Sequence, residues 1–569
     1  MIFWYWYLLT AAALSFSGYV TLNIFLAAAL AAAVPLLFRL FAAKNRVITS
    51  IITAAAAAAA LALLWRGSFL PPPATIIKFL WGPKTRPTLQ YLLEFLWQSV
   101  NILMLASGAA LFAAVFFSYR RKPMLLAFSA YVILASALVI QPKRKTIDLD
   151  SAAQQPLNLK QNIADLDPFY TKESEWPEAY SAAGSRQDSP DLGSVSPKAF
   201  FEKESGRIVE FYPPAKDSPP FDVIILHICS LSWKDIKDSD ANLIPFFSKF
   251  DYVFTNFSAA ASYSGPAALR VLKAPCGQVP HLDLYKDAPA GCYLMDDLRS
   301  SGFKTYSMAS NDGKYDDFAA HVKKYGHADT LIDAADLPVA YELFTGAPMY
   351  PDDAALRKFW KLRQESKAQR AALYYNTANL HIGTHKPGAS GKSDNAAFYK
   401  ERLVAMTAQL EGFFSEIERS GRNAVVIFVP EHGAALVSTK MQAKDVRDIP
   451  LPPIATVPAA VKLIGKKFYA DEPKPKVITK PASLLALAWF ISEFMTNNPF
   501  TKDARKPYNI SLEIPVTDFL AENAGSTVMR LRSGYIYSQS GGPWTMLPDY
   551  AGIPPDTIPS VQDFIQRGK

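Results

Sequence analysis

The chain has 569 residues, a formal net charge of +8 and three cysteines. This length allows two or three domains. Hydrophobic residues make up 50% of the sequence and are concentrated in its first quarter, so the two parts of the chain differ in character. The Lys and Arg residues form no block interleaved with aromatic residues, and the basic charge therefore predicts no nucleic-acid partner.

Residues 1–140 are predicted to form an all-α transmembrane domain of about five helices. The apolar segments lie at 3–17, 19–40, 47–65, 96–118 and 124–140. The three middle segments are each about long enough to cross the hydrocarbon core, whereas the outer two are shorter, so four spans are the alternative count. The start has neither a basic n-region nor a small-residue cleavage site, which argues against a removed signal peptide.

Basic clusters in the predicted loops set the orientation. One lies at 39–46, between the second and third segments, and another at 120–122, between the fourth and fifth. The positive-inside rule places both clusters in the cytoplasm and everything after about residue 140 outside it. A third basic cluster at 143–145 opposes this orientation but precedes a long domain.

The remaining chain is predicted to be a linker, 141–220, followed by a catalytic α/β domain, 221–569. The linker is rich in Pro, Ser, Asp and Lys. Continuous apolar runs typical of buried parallel strands lie at 221–228, 303–308, 371–380 and 423–429. Helical patterns alternate with these runs, most clearly at 400–419, which predicts a mostly parallel central sheet. The pattern over 528–547 predicts a terminal hairpin.

Reactive side chains follow the predicted strands, and in open α/β sheets chemistry collects at the carboxyl ends of strands. Cys229 follows the first strand, Glu431 and His432 follow the 423–429 strand, and His381 and His385 follow the 371–380 strand. Each has an ordinary alternative: a buried thiol, a polar turn, or solvated loop histidines. Sulfur, imidazole and carboxylate ligands brought together by the fold would suit Zn²⁺.

Ser264 stands before Gly265 and Pro266, and an apolar helical run follows. Because proline is tolerated in the first turn of a helix, Ser264 is predicted to lie at or beside a helix N-cap. The helix N-terminus favours an anion there, either an alkoxide or a phosphoryl group. A serine that only caps a helix is the alternative. A zinc ion bound to Ser264 would lower the pKa of its hydroxyl and make it a nucleophile.

The two other cysteines, Cys276 and Cys292, lie in the predicted exported part of the chain. With Cys229 assigned to the metal, they are the only possible disulfide pair. The alternative is two unpaired thiols, which an oxidising compartment disfavours.

Five segments of the sequence resemble one known family. They are HICSLSW at 227–233, SYSGPAALR at 262–270, CGQ at 276–278, the stretch 376–385, and VPEHGAAL at 429–436. Together they resemble the alkaline-phosphatase-like phosphoethanolamine transferases, and most closely those that modify cellulose. The apolar N-terminal part agrees with that family in layout.

This resemblance implies a role for each matching residue. Ser264 would be the nucleophile, and Cys229, Glu431 and His432 would be the ligands of one zinc ion that Ser264 also contacts. His385 would contact the phosphoryl group or act as general acid and base. Tyr263 and Arg447 would line the site.

The resemblance also implies substrates, partners and a location. The donor would be phosphatidylethanolamine in the membrane, the acceptor cellulose, and the partner a cellulose synthase complex. The protein would be a multi-pass protein of the bacterial inner membrane with its catalytic domain in the periplasm. The alternatives are a phosphoglycerol transferase or a phosphatase or sulfatase on the same scaffold, and a non-catalytic scaffold subunit of a polysaccharide synthase.

Overall fold

The computed structural model describes residues 33, 46–67, 77, 80–82 and 196–564, with gaps at 389–395, 440, 468–474, 532–533, 540–541, 543, 548–556 and 561. Helix α1 (Arg46–Gly67) covers the predicted third span. The other four predicted spans lie outside the described residues, apart from Ala33. Within the described part of the chain, no helix has both the length and the apolar character needed to cross a membrane. The five-span topology stays a prediction.

The described residues from 196 to 437 and from 444 onward belong to one compact unit. Its α-helices are α2 (Pro197–Ser205), α3 (Trp233–Asp238), α4 (Ile244–Phe247), α5 (Ser264–Leu272), α6 (Leu294–Ser300), α7 (Phe318–Gly326), α8 (Asp352–Glu365), α9 (Ala396–Arg419), α10 (Pro452–Ala455), α11 (Leu484–Thr496) and α12 (Pro507–Leu512). Its strands are β1 (Phe221–Ile228), β2 (Tyr252–Ser258), β3 (Phe303–Ala309), β4 (Tyr341–Glu342), β5 (Pro348–Met349), β6 (Arg370–Thr377), β7 (Asn423–Pro430), β8 (Thr456–Ile464), β9 (Lys476–Ile478), β10 (Leu520–Asn523), β11 (Ser526–Leu531), β12 (Gly534–Gln539) and β13 (Thr545–Met546).

A seven-stranded sheet of order β3-β6-β1-β7-β8-β2-β9 forms the centre of the described unit. The pairs β3–β6, β6–β1, β1–β7 and β2–β9 are parallel. Strand β8 runs antiparallel to both of its neighbours, β7 and β2. The prediction of an α/β domain with a mostly parallel sheet is confirmed, and the four strands predicted from apolar runs are β1, β3, β6 and β7.

The central strands are mostly apolar because helices cover both faces of the sheet. All eight residues of β1 are buried. Val223 and Ile225 belong to one apolar cluster, whereas Ile224 and Leu226 belong to another. Successive side chains point to opposite faces of a strand, so β1 divides the core into these two halves and is held between them.

Helix α2 and the residues after it pack on this unit, although the sequence predicted them as the end of the linker. Ser196 caps α2 by accepting a hydrogen bond from the amide of Ala199, and Phe200 is buried. The amide of Val209 donates to the carbonyl of Pro275 at 2.7 Å. The predicted boundary at residue 220 therefore differs from the structure, because a short polar helix with one deeply buried aromatic ring gives no clear periodic signal.

A separate four-stranded antiparallel sheet, β10-β11-β12-β13, contains the predicted terminal hairpin. Strands β11 and β12 pair from Ser526↔Gln539 to Leu531↔Gly534. The turn between β10 and β11 reaches the candidate site described below.

Cys276 and Cys292 form a disulfide with a sequence separation of 16 residues. The predicted pairing is confirmed. Cys276 lies just after α5 and Cys292 just before α6, so the bond joins the ends of the segment between these two helices.

Replacing both Cys276 and Cys292 with serine is expected to lower the free energy of unfolding by about 3 kcal/mol, because a closed loop of this length restricts the unfolded chain. Urea unfolding of the oxidised protein measures the loss. A reducing agent should produce the same loss in the natural chain and no further loss in the double variant. An unchanged urea midpoint in the double variant would contradict the prediction.

Candidate active site

Three potential metal ligands meet at the carboxyl ends of β1 and β7. The two strands pair in parallel with Ile228 opposite Pro430. The residues that follow them, Cys229 and Glu431, are therefore neighbours at the edge of the sheet. The amide of Glu431 donates to the carbonyl of Ile228 at 2.8 Å. The ligand atoms of Cys229, Glu431 and His432 all lie within 4.8 Å of one another, and the three residues are buried. The structure thus brings together the three predicted ligands.

The environment of these ligands fits a metal ion. Asn376 donates to Glu431 Oε1 at 2.5 Å, and His432 Nδ1 lies 2.9 Å from the carbonyl of Gly433. Glu431 Oε2 and His432 Nε2 are buried and form no hydrogen bond within the described residues. Glu431 and His432 therefore each have one atom oriented by a neighbour and another left for a cation, which is the usual arrangement around bound zinc.

Burial also changes the protonation of these ligands. It raises the pKa of the Cys229 thiol and of the Glu431 carboxyl, and it lowers the pKa of the His432 imidazole, because each charged form loses its hydration. A thiolate and a carboxylate in this environment need a compensating positive charge. A divalent cation would supply it, and a thiolate, a carboxylate and an imidazole suit Zn²⁺.

The loop that carries His432 is held by the start of α3. Asp235 Oδ2 accepts hydrogen bonds from the amide of Ser232 at 2.8 Å and the amide of Ala434 at 2.7 Å. A Cβ on Gly433 would lie 2.7 Å from Ser232 Oγ, so only glycine permits this close approach. These contacts explain why the two residues after β7 keep a fixed position at the sheet edge.

Ser264 lies beside the three ligands at the first residue of α5. Tyr263 is the N-cap, with extended backbone angles, and no side chain caps the helix. Ser264 Oγ lies 3.4 Å from Cys229 Sγ, and Ser264 is half-buried. The prediction that Ser264 lies at or beside the N-cap is confirmed. Its hydroxyl is not used for capping, so it is available for chemistry in the field of a helix N-terminus.

Tyr263 and Arg447 also lie at this site. The Tyr263 hydroxyl donates to Asp448 Oδ1 at 2.7 Å, and the Arg447 guanidinium lies 5.5 Å from the centre of the Tyr263 ring. Arg447 Nη1 donates to Ser230 Oγ at 3.4 Å. Burial first, and then the charge of Asp448, raise the pKa of Tyr263 well above its ordinary value, so this phenol stays protonated. The two predicted lining residues therefore contact groups next to Ser264 and Cys229.

His385 has different neighbours. Its Nδ1 lies 3.7 Å from Glu342 Oε2 and 3.2 Å from the carbonyl of Lys386. The backbones of His385 and Glu342 also pair in an isolated bridge. Within the described residues none of these contacts joins His385 to Ser264, and its role as general acid and base stays a prediction.

Two further histidines lie beside this site, the half-buried His381 and the buried His227. Burial, and then the charge of Arg447, lower the pKa of His381 to about 3. Burial alone lowers the pKa of His227 to about 3, and His227 Nδ1 lies 3.7 Å from Glu431 Oε1. Both imidazoles are therefore neutral at physiological pH.

Several site residues were not predicted as such. Asn376 orients Glu431, Asp448 accepts from Tyr263, and Asn523 donates to the carbonyl of Asp448 and, at 3.4 Å, to Ser262 Oγ. Asn376 ends a strand next to β1, so the strand-end rule could have found it. Asn523 ends β10 of the terminal sheet, and only the folded chain reveals its position.

These features define an α/β protein with a cluster of three potential metal ligands and an adjacent serine at the carboxyl edge of its central sheet. The family model described as Cellulose biosynthesis protein BcsG C-terminal domain matches residues 179–544. The chain belongs to this family.

Two curated relatives carry the same description, Cellulose biosynthesis protein BcsG. The one from Escherichia coli (strain K12) is 38% identical over 333 residues, which cover 58% of this chain and 59% of the relative. The one from Salmonella typhimurium is 36% identical over 354 residues, covering 61% of this chain and 62% of the relative. The matches thus span less than two thirds of the relatives' own length.

The solved structures that match this chain are more distant in sequence. An alkaline phosphatase superfamily protein from Vibrio parahaemolyticus is 14% identical, with a TM-score of 0.43 over 61% of this chain and 85% of its own. The C-terminal periplasmic domain of EptC from Escherichia coli is 13% identical, with a TM-score of 0.40 over 56% of this chain and 93% of its own.

Proposed function

We propose that this chain transfers phosphoethanolamine from phosphatidylethanolamine to glucosyl 6-hydroxyls of cellulose, through a covalent intermediate on Ser264. The observation that carries the proposal is the Ser264 hydroxyl, 3.4 Å from Cys229 Sγ at a helix N-terminus and beside the Glu431–His432 pair. The family's description supports a role in cellulose biosynthesis. The resemblance of the site segments to phosphoethanolamine transferases supports the transferred group.

Cys229, Glu431 and His432 would hold one Zn²⁺. Bound there, zinc would lower the pKa of a neighbouring hydroxyl and offset charge that develops on phosphoryl oxygens. The three side chains need no large movement for this, because their ligand atoms already lie within 4.8 Å of one another.

The transfer takes two steps. In the first, Ser264 Oγ forms a bond to the donor phosphorus, and the bond between phosphorus and the glycerol oxygen breaks to release diacylglycerol. Ser264 loses its proton and the departing oxygen gains one; the family resemblance assigns this exchange to His385. In the second step a glucosyl 6-hydroxyl attacks the same phosphorus, loses its proton, and Ser264 Oγ leaves and regains a proton.

Two further residues would stabilise the phosphoryl group. Arg447 brings a buried positive charge to the site, next to Ser230 and Tyr263. Tyr263, whose hydroxyl is fixed by Asp448, would orient the group that Ser264 attacks. Preorganised charges and dipoles of this kind stabilise a transition state without reorganisation during the reaction.

The proposed setting is the bacterial inner membrane, with the catalytic unit in the periplasm and a cellulose synthase complex as partner. A lipid donor and a polymer acceptor would meet at such a location. The disulfide is compatible with it, because disulfides persist in oxidising compartments.

Mass spectrometry of the Ser264 peptide tests the proposed function. The purified full chain is incubated with phosphatidylethanolamine labelled in the ethanolamine group, and we expect a labelled phosphoethanolamine adduct on Ser264. Phosphatidylglycerol is the parallel donor, because a phosphoglycerol transferase would form a phosphoglycerol adduct instead. A peptide that remains unmodified with phosphatidylethanolamine would refute the proposed function.

Metal analysis tests the ligand assignment separately. We expect about one zinc per natural chain and loss of zinc in His432→Ala, because two protein ligands would remain from the three. Asn376→Ala should weaken zinc binding by about 10–100-fold, since it removes the group that orients Glu431. Glu401→Gln is the control, because its carboxylate is exposed and pairs with Lys386. Equal zinc content in all variants would show that the cluster is not the metal site.

A further inference from the structure

Three aromatic side chains from two separate segments form a cluster near Ser264. Tyr285 ends a short 3-10 helix (His281–Tyr285), and His321 and Tyr325 lie one turn apart on α7. The ring centre of Tyr285 lies 6.0 Å from that of His321 and 5.7 Å from that of Tyr325. His321 and Tyr325 are 5.8 Å apart. We call this group the aromatic cluster.

The aromatic cluster lies along the helix that begins with the nucleophile. Gly265 directly follows Ser264, and a Cβ placed on Gly265 would lie 3.9 Å from the Tyr285 hydroxyl oxygen. At the other end of α5, a Cβ on Gly326 would lie 2.5 Å from Leu272 Cδ1, so α7 packs closely on α5. A molecule held by the cluster would therefore lie next to the first turn of α5.

These three side chains differ from the aromatic residues of the core. Tyr374 and Tyr375 are fully buried, and their hydroxyls contact His227 at 3.0 Å and Asp352 at 2.6 Å. The three members of the aromatic cluster are half-buried. Within the described residues, their hydroxyl and ring-nitrogen atoms form no hydrogen bond with the protein. The cluster thus offers ring surface and hydrogen-bonding groups together, although the Lys324 ammonium lies over one side of the Tyr325 ring, 4.8 Å from its centre.

We propose that Tyr285, His321 and Tyr325 form the subsite that binds the acceptor glucan chain. A β-linked glucosyl ring has apolar C–H faces, which pack on aromatic rings, and equatorial hydroxyls, which can bond to phenol and imidazole groups. A sugar on the cluster would present its neighbouring 6-hydroxyl to a phosphoryl group on Ser264. This inference rests on the proposed function and adds the place where the acceptor binds.

Measuring the two half-reactions of the full chain separately distinguishes donor binding from acceptor binding. The first is adduct formation on Ser264, and the second is transfer to the acceptor. Cellohexaose is the acceptor probe, and the test variant is Tyr285→Ala/Tyr325→Ala. We expect its KM for cellohexaose to rise about tenfold or more, because two ring contacts are lost. The rate of adduct formation on Ser264 from phosphatidylethanolamine should change less than about twofold. Cellohexaose affinity, measured by calorimetry in the Ser264→Ala background, should fall by the same factor as the KM rises.

Two controls keep the test independent of folding. Tyr285→Phe/Tyr325→Phe keeps both rings and should lose less affinity than the alanine pair. Tyr508→Ala removes a tyrosine that is 39% exposed outside the cluster and should leave both half-reactions unchanged.

The outcomes separate the two proposals. If the natural chain forms no adduct from phosphatidylethanolamine, the proposed function fails before the acceptor is tested. If the adduct forms and the alanine pair keeps the natural KM and affinity for cellohexaose, the inference about the aromatic cluster is overturned. Slower adduct formation with unchanged cellohexaose binding would also overturn it, because the cluster would then contact the lipid donor.

Discussion

Ser264→Ala is expected to reduce phosphoethanolamine transfer to background while the protein stays folded and keeps its zinc. The substitution removes the oxygen that would form the covalent bond to phosphorus. Little stability should be lost, because no side chain caps α5 and the Ser264 hydroxyl makes no capping hydrogen bond. Transfer to cellulose, adduct mass, zinc content and the urea midpoint are measured on the same preparation.

Ser196→Ala is the matched control, because Ser196 is a serine that does cap a helix. Its side chain accepts a hydrogen bond from the amide of Ala199 at 3.1 Å. Losing this hydrogen bond in Ser196→Ala should lower the free energy of unfolding by about 1 kcal/mol and leave phosphoethanolamine transfer unchanged. The opposite effects of the two variants would distinguish a nucleophile from a helix cap. Full transfer by Ser264→Ala would instead show that Ser264 is not the nucleophile.

Arg363→Met is expected to lower the free energy of unfolding by about 3–5 kcal/mol, more than the other single substitutions, because it leaves the buried Asp222 carboxylate without the side chain that binds both of its oxygens. Arg363 Nε and Nη2 donate to the two oxygens of Asp222 at 2.9 and 2.8 Å, and both side chains are buried. Asp222 lies at the start of β1 and also accepts from the amide of Ala371 at 2.8 Å. The ion pair therefore joins α8, β1 and β6. Urea unfolding measures the effect.

Arg422 provides the control for Arg363, because it faces the same carboxylate from the surface. Arg422 Nε lies 3.8 Å from Asp222 Oδ2, and its side chain is 31% exposed. Arg422→Ala should cost about 1 kcal/mol or less, since solvent screens such pairs. The double variant Asp222→Asn/Arg363→Met should recover part of the loss by removing the unpaired charge. Equal losses for Arg363→Met and Arg422→Ala would contradict the prediction.

The strand-end residues were predictable because their signal is local. A continuous run of β-branched and other apolar residues identifies a strand buried on both faces, and such strands lie in the middle of a parallel sheet. Cys229 and Glu431 each follow such a run, so their proximity follows from the parallel pairing of β1 with β7. Ser264 could be placed by the same kind of local reasoning, since a Ser-Gly-Pro start predicts a helix N-terminus.

Other features depended on contacts between distant parts of the chain. Strand β8 was not predicted; it follows a proline-rich stretch and inserts antiparallel between β7 and β2. Residues 196–220 were predicted as linker, because Phe200 is buried mainly against residues of the terminal sheet, far along the chain. The disulfide was one of two alternatives until the fold brought Cys276 and Cys292 together.

The sequence by itself determined the class of fold, the position of Cys229, Glu431 and His432 at strand ends and the position of Ser264 at a helix start, because each depends on a short pattern whose geometry is the same in most proteins. Only the tertiary structure decided how Asp448 and Asn523 hold Tyr263 and its loop, and how Tyr285, His321 and Tyr325 come together. Apart from the His321–Tyr325 pair within α7, these contacts join residues that are tens to hundreds of positions apart. No local pattern encodes them, since they form only when separate elements pack against one another.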